Sequence, residues 1–221
     1  MLAHNLISDI IPSLRTSDTG QDALNWMETF RVSHIPIVNN SEFLGLIADE
    51  DIYDLNIANE PLGNHSLSLI KPYVMDYQHI YDVIEVLSRL KLTLVPVLDV
   101  DKKYLGVITL SDLMQHFSEL LAVHNDGGLI QIEVESRDYA LSEIARIVED
   151  ENAKVLSLYL SQNEINNNFI ITLKLNTSDL SAIVSAFERY DYKIKTSYYG
   201  STETDEKAKE NYESLLRYLN V

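Results

Sequence analysis

The sequence predicts a mixed α/β (α+β) fold: two copies of a helix–strand–strand–helix unit about a pseudo-twofold axis, followed by a smaller βαββαβ unit. Three observations predict it. RVSHIPIV (31–38) lies over KLTLVPVL (91–98) at an offset of 60, with Pro36 on Pro96 and Ser33 on Thr93. LGLIADED (44–51) lies over LGVITLSD (105–112) at an offset of 61. From Leu129 onward, alternating apolar runs are interleaved with two helical stripes.

The repeat unit begins with a helix. Ala23, Leu24, Met27 and Phe30, and in the second copy Val83, Ile84, Leu87 and Leu90, fall on one amphipathic stripe. A β-rich run follows, IPIV or VPVL, and its proline suits a strand opening or edge. A polar turn comes next, one residue longer in copy two (DVDKKY against NNSEF), where an insertion costs least. FLGLIA or YLGVIT is the second strand, and a closing helix starts at EDIYDLNIA or SDLMQHFSELLAV. One copy cannot bury both faces of its small sheet, so the two are expected to pack together.

The turn-rich Asn125, Asp126, Gly127 and Gly128 read as a linker. Beyond it LIQIEVE (129–135) is a strand, Leu141, Ile144, Ala145 and Val148 mark a helix, and VLSLYLS (155–161) is a strand. Asn166, Asn167 and Asn168 turn the chain into FIITLKL (169–175). Thr177 or Ser178 is expected to cap a helix through Ala182, Val184 and Phe187, and residues 192–198 form the last strand. This order is a ferredoxin-like sandwich. Residues 201–221 are charged, with Tyr212, Leu215, Leu216 and Leu219 on one stripe, and are expected to be helical. The expected domains are 1–64, 65–124 and 128–200, with a C-terminal helix over 201–221.

Thirty-four acidic against 17 basic residues give a net charge of −17, which argues against nucleic acid and membrane surfaces as partners. No apolar run reaches membrane-spanning length, and MLAHNLISDI has neither the basic segment nor the apolar core of a secretory signal. The absence of cysteine excludes disulfides, zinc–thiolate sites and cysteine nucleophiles. A cytoplasmic location is expected. Six histidines without HExxH spacing and seven glycines without a GxGxxG or Walker loop leave no catalytic set, so no enzyme and no catalytic cofactor are expected.

The chemistry worth testing lies at Thr109 and Asp112. Thr109 ends a strand and Asp112 falls in the first turn of the next helix, so a hydroxyl and a carboxylate share one side beside helix-start amides. Such a pair suits a ribosyl phosphate, the acid taking vicinal hydroxyls and the hydroxyl a phosphate. The same spacing is also an ordinary helix N-cap. Copy one has Ala48 in place of Thr109, with Asp49 beside it to cap the helix and Asp51 in the place of Asp112.

These paired units resemble a tandem CBS module (Bateman module), with its h-P-V-h followed by h-G-h-h-T/S-x-x-D. Copy two matches through Val95, Pro96, Val97 and Leu98, then Gly106 through Thr109, Leu110, Ser111 and Asp112; copy one matches except at Ala48. The resemblance covers roughly residues 1–122. It implies an adenine-nucleotide ligand in the cleft between the copies: AMP first, then ADP, or ATP accompanied by Mg²⁺. Ribose would meet Asp112, phosphate would meet Thr109, and Ser111, Thr93, Leu94, Val95 and Pro96 would line the cleft. From copy one, Ser33, His34, Ile35 and Asp51 would face it. Losing a hydrogen bond to a charged group at Ala48 costs about 1.5–3 kcal/mol, so one good site is expected.

The βαββαβ unit is similar to an ACT domain, whose first loop commonly reads D/N-x-P-G-x-L and holds an amino acid. Here that loop is Ser136, Arg137, Asp138, Tyr139, Ala140 and Leu141, and Tyr139 fills the glycine position. A dimerising or signal-transmitting part is therefore expected rather than an amino-acid site. The whole architecture resembles acetoin-utilisation regulatory proteins. It implies an allosteric regulatory protein, a homodimer that passes its nucleotide state to the ACT-like part or to a regulated protein; the alternative is a ligand-free oligomerisation scaffold.

Overall fold

The structure is a computed structural model that describes residues 1–8, 10–65 and 69–198. The helix expected over 201–221 lies outside these residues. The chain divides into two compact units, Met1–His116 and Phe117–Val221. The division falls ahead of the linker expected at 125–128, inside a helix.

In the first unit, copy one consists of α1 (Gly20–Phe30), β1 (His34–Asn39), β2 (Glu42–Ala48) and α2 (Asp49–Leu55). Copy two consists of β3 (Val74–Met75), α3 (Ile80–Leu90), β4 (Leu94–Leu98), β5 (Tyr104–Thr109) and α4 (Leu110–Leu120). β1 and β2 are antiparallel, as are β4 and β5, and β3 runs parallel to β4. The copy-one counterpart of β3 is a single parallel bridge from Leu14 to Ile37, matching Val74 to Val97 at the repeat offset. Each proline sits inside its strand rather than at its opening. In β4 this is tolerated because β3 begins to pair only at Val97, so the missing N–H of Pro96 leaves no ladder bond unmade.

Both copies carry a bulge at the same place. Ile37 pairs with Gly45 and Val38 with Phe43, leaving Leu44 extra; Val97 pairs with Gly106 and Leu98 with Tyr104, leaving Leu105 extra. The hairpin loops differ as the insertion requires. Asn40 and Ser41 both take positive φ (48° and 70°), as a two-residue type I′ turn demands. The loop of copy two has a third residue, Lys102, at φ 62°.

The segments ahead of the two copies are exchanged. Residues 3–8 lie on copy two, where Ala3 N–H donates to Gln78 O (2.8 Å) and Ser8 bridges Val107. Ile70, just ahead of copy two, bridges Leu46 of copy one. A Cβ on Gly106 would stand 2.5 Å from Ile7 Cγ2, and one on Gly45 would stand 2.5 Å from Leu69 Cβ. The glycines of the repeat are thus where one copy's leading segment crosses the other copy's second strand. One continuous core follows, joining Ile35, Ile37, Leu46 and Ile47 to Leu94, Val95, Val97, Val107 and Ile108.

The second unit contains β6 (Leu129–Val134), α5 (Leu141–Asp150), β7 (Val155–Gln162), β8 (Phe169–Leu175), α6 (Ser181–Arg189) and β9 (Lys193–Tyr198). Its antiparallel sheet has the order β7-β8-β6-β9, the ferredoxin-like arrangement. Ile130, Ile132, Ile171 and Leu173 meet Ile144, Ile147, Val148, Ile183 and Phe187 in its core. The buried stripe of α6 is Ile183, Ala186 and Phe187, with Val184 partly buried against the same core; the expected Ala182 is exposed. Neither Thr177 nor Ser178 caps this helix; Asp179 Oδ1 accepts from Ser181 N–H at 3.1 Å.

Candidate functional site

Copy two places Thr109 at the C-terminal end of β5 as the residue before α4. The Thr109 side chain is buried, and its hydroxyl donates to Asp112 Oδ2 at 2.7 Å while accepting from Asp112 N–H at 3.0 Å. The pair therefore secures the start of α4. The other oxygen of Asp112, Oδ1, has no hydrogen-bond partner among the described residues, and the residue is half-buried. Ser111 is exposed one position earlier.

The same chain provides a control for this geometry. At the start of α1, Thr19 Oγ1 donates to Asp22 Oδ2 at 2.7 Å and accepts from Asp22 N–H at 3.1 Å, and Thr19 N–H donates to Asp22 Oδ2 at 2.9 Å. Bond lengths alone thus do not separate a site from a cap. The two pairs differ in position: Thr109 is the buried cross-strand partner of Leu94.

In copy one, Ala48 precedes α2, and Asp51 Oδ2 accepts its N–H at 2.9 Å. Asp49 does not cap the helix as expected. It is the first helical residue, its N–H donates to Ser33 O at 3.2 Å, and among the described residues its carboxylate accepts only from the adjacent Glu50 N–H. The hydroxyl is lost and the acid keeps half of the cap.

The two copies meet through equivalent residues. Ser33 N–H donates to Thr93 Oγ1 at 3.0 Å, and His34 Nδ1 lies 3.3 Å from the same oxygen. The Thr93 hydroxyl thus accepts from Ser33 and shares a second hydrogen bond with the His34 ring. Thr93 O in turn accepts from Leu110 N–H at 2.9 Å, the counterpart of the Ser33–Asp49 bond. His34 is opposite Ala48 in the β1–β2 ladder, while Leu94 is opposite Thr109. Each copy therefore has one polar and one apolar residue at this cross-strand pair, on opposite strands.

Burial lowers the pKa of His34 below its ordinary value, with Asp49, Asp51 and Glu50 opposing the shift. His34 is consequently neutral at pH 7 and offers an N–H rather than a full charge. Leu94, Val95 and Pro96 are wholly in the core. Of the expected residues, Thr93 and His34 touch each other, Thr109 and Asp112 touch each other, and the Thr93 carbonyl links to the α4 start.

Sequence reasoning missed a polar centre in the second unit. Glu133 is 5% exposed, and its Oε1 accepts from Asn163 Nδ2 (3.1 Å), Asn166 Nδ2 (2.7 Å) and Asn168 Nδ2 (3.4 Å) of the β7–β8 hairpin. Oε2 pairs with Lys193 Nζ at 3.1 Å and with Lys195 Nζ at 3.9 Å. The Asn166 bond first, then the Lys193 contact and the two lysine charges, hold its carboxyl down to about 2. The asparagine run was legible as a turn, but nothing in it pointed to a buried acid. Nearby, Tyr139 packs edge-on against Phe169 at 5.9 Å, filling the loop where the ACT resemblance would place a glycine.

No helix among the described residues is long and apolar enough to cross a membrane, and these residues hold no cluster of acids and histidines suited to a metal ion. Residues 71–119 match the family model for the CBS domain. The chain is similar in structure to a CBS domain pair/ACT domain protein from Thermotoga maritima (20% identity, 55% of this chain and 99% of that one, TM-score 0.48). It is also similar to the CBS domains of a transcriptional regulator from Streptococcus pneumoniae (23% identity, 52% and 98%, TM-score 0.46). A third similar structure is CBSX2 in complex with AMP (18% identity, 53% and 96%, TM-score 0.47).

Proposed function

We propose, on the premise that residues 71–119 form a CBS domain, that the protein is a regulatory sensor of an adenosine-type ligand, with AMP the first choice. The observation that carries this reading is that Thr109 ends β5 and Asp112 sits in the first turn of α4, a helix start whose Leu110 N–H is bonded to Thr93, which in turn meets Ser33 and His34 of the other copy. Ribose hydroxyls would take Asp112 Oδ1, the carboxylate oxygen that the cap leaves free, so capping and binding use different oxygens. A monophosphate suits a place served by hydroxyls and a neutral His34, in a chain of net charge −17. ATP would need Mg²⁺ to offset its charge. Copy one, with Ala48, would bind about ten- to a hundredfold more weakly.

A ligand changes the arrangement of the copies only through unequal affinity for two states. The state would pass to the ACT-like unit or to a regulated protein, in a homodimer with no catalytic step. Calorimetric titration of AMP into the full chain is expected to show micromolar binding, about −8 kcal/mol, lost in Asp112→Ala. Absence of heat with AMP, ADP and ATP, or equal binding by the variant, would remove the sensing role. A second reading, a ligand-free scaffold, is favoured by one observation: Thr19 and Asp22 show the same bonds at an ordinary helix start.

A further inference from the structure

An opening in the first unit lies at the hairpin end of the sheets, away from the strand ends that carry Thr109 and His34. It is a cleft of about 580 Å³ lined by Ser13, Arg15, Val38, Asn39, Asn40, Ser41 and Tyr104, a size ordinary for a small-molecule site. Both copies build it: Tyr104 N–H donates to Ser41 O at 2.8 Å, and Glu42 bridges Lys103, which fixes one hairpin against the other.

Three features of the cleft point to a ligand. Arg15 is its one cation, and among the described residues that line it there is no acid, in a chain with twice as many acids as bases. The guanidinium has no ion pair among the described residues, although the Arg15 backbone is anchored by its N–H donating to Asp18 Oδ2 at 2.8 Å. The Tyr104 hydroxyl is buried and lacks a hydrogen-bond partner, a condition that buried polar groups rarely keep. Burial also raises its pKa, so it remains a donor. Asn39 is spent on Thr16, whose Oγ1 accepts from Asn39 Nδ2 at 3.0 Å, whereas Ser13, Asn40 and Ser41 have side-chain groups to spare.

We propose that this cleft binds a small polyhydroxylated carboxylate, with its anion on the Arg15 guanidinium and its hydroxyls on Ser13, Asn40 and Ser41. A single guanidinium matches one carboxylate in a two-point contact. A phosphate dianion would face the field of a strongly acidic chain with only one positive charge to meet it. The site is independent of the nucleotide reading and stands or falls separately from it.

The test is titration of the full chain with sodium gluconate, glucose 6-phosphate and inorganic phosphate at low ionic strength. Gluconate is expected to bind, and Arg15→Gln to weaken it at least tenfold. Asp112→Ala is expected to leave it unchanged. Arg15 is exposed, so Arg15→Gln should keep the wild-type melting temperature. No heat with gluconate, or equal binding by Arg15→Gln, would overturn the site. Tighter binding of glucose 6-phosphate or inorganic phosphate than of gluconate would overturn the carboxylate assignment.

Discussion

A threonine and an aspartate three residues apart occur at two helix starts in this chain, and local geometry barely tells the two pairs apart. Thr19 and Asp22 start α1 with the same two bonds that Thr109 and Asp112 make at α4. The sequence alone therefore supports both readings, and the repeat is what nominates the second pair. Ala48 gives a direct check on the capping half. Ala48→Thr should return a hydroxyl to the start of α2 and raise stability by about 1 kcal/mol in denaturant unfolding; no gain would mean that Asp51 alone already satisfies this helix start. Glu133 was illegible because burial of a strand acid depends on a hairpin folding over it, which period-two alternation does not encode. Its carboxyl lies near 2 when folded and about 4.3 when unfolded. The stability it contributes is complete above pH about 4.3 and is lost as pH falls toward 2. Urea unfolding of wild type and Glu133→Gln from pH 7 to 3 should show a gap that closes below pH about 4.3; a constant gap would contradict the assignment.

Among the elements, the helices and the paired strands were readable because each carries its own period. α1 and α3 end as the repeat requires, at Arg31 and Lys91 in left-handed backbone (φ 54° and 53°), and basic residues there also suit the helix C-terminus. No glycine marked those stops. β3 escapes a sequence reading because two residues are too few for a pattern, and in α6 the exposed Ala182 stands where the buried Ile183 and Ala186 carry the stripe. The glycines had a legible identity but a hidden reason. Gly45 and Gly106 repeat because the leading segment of the opposite copy crosses there, a contact between residues about a hundred positions apart in the case of Ile7 and Gly106. Gly106→Ala should therefore destabilise by about 1–3 kcal/mol through crowding. Thermal unfolding of Gly106→Ala with and without Ile7→Ala checks it: trimming Ile7 should restore part of the loss, and strictly additive effects would show that Ile7 is not the obstacle.

At the scale of the molecule, the duplication was the most legible fact, and the exchange of leading segments the least. Hydrophobic patterns say which face is buried; they do not say which copy buries it. The first unit has one core because residues from both copies fill it, and its axis is marked by Ser33 meeting Thr93. The second unit is a separate ferredoxin-like body with its own core. The claim on which the functional account turns is that the hydroxyl–acid pair of copy two serves a ligand as well as a helix. Parallel AMP titrations of Thr19→Ala and Thr109→Ala test it most directly. Each substitution should cost about 1–2 kcal/mol of stability as a lost cap, but only Thr109→Ala should lose AMP affinity, about ten- to a hundredfold. Equal AMP binding by both variants would contradict the account and leave Thr109 as a cap alone.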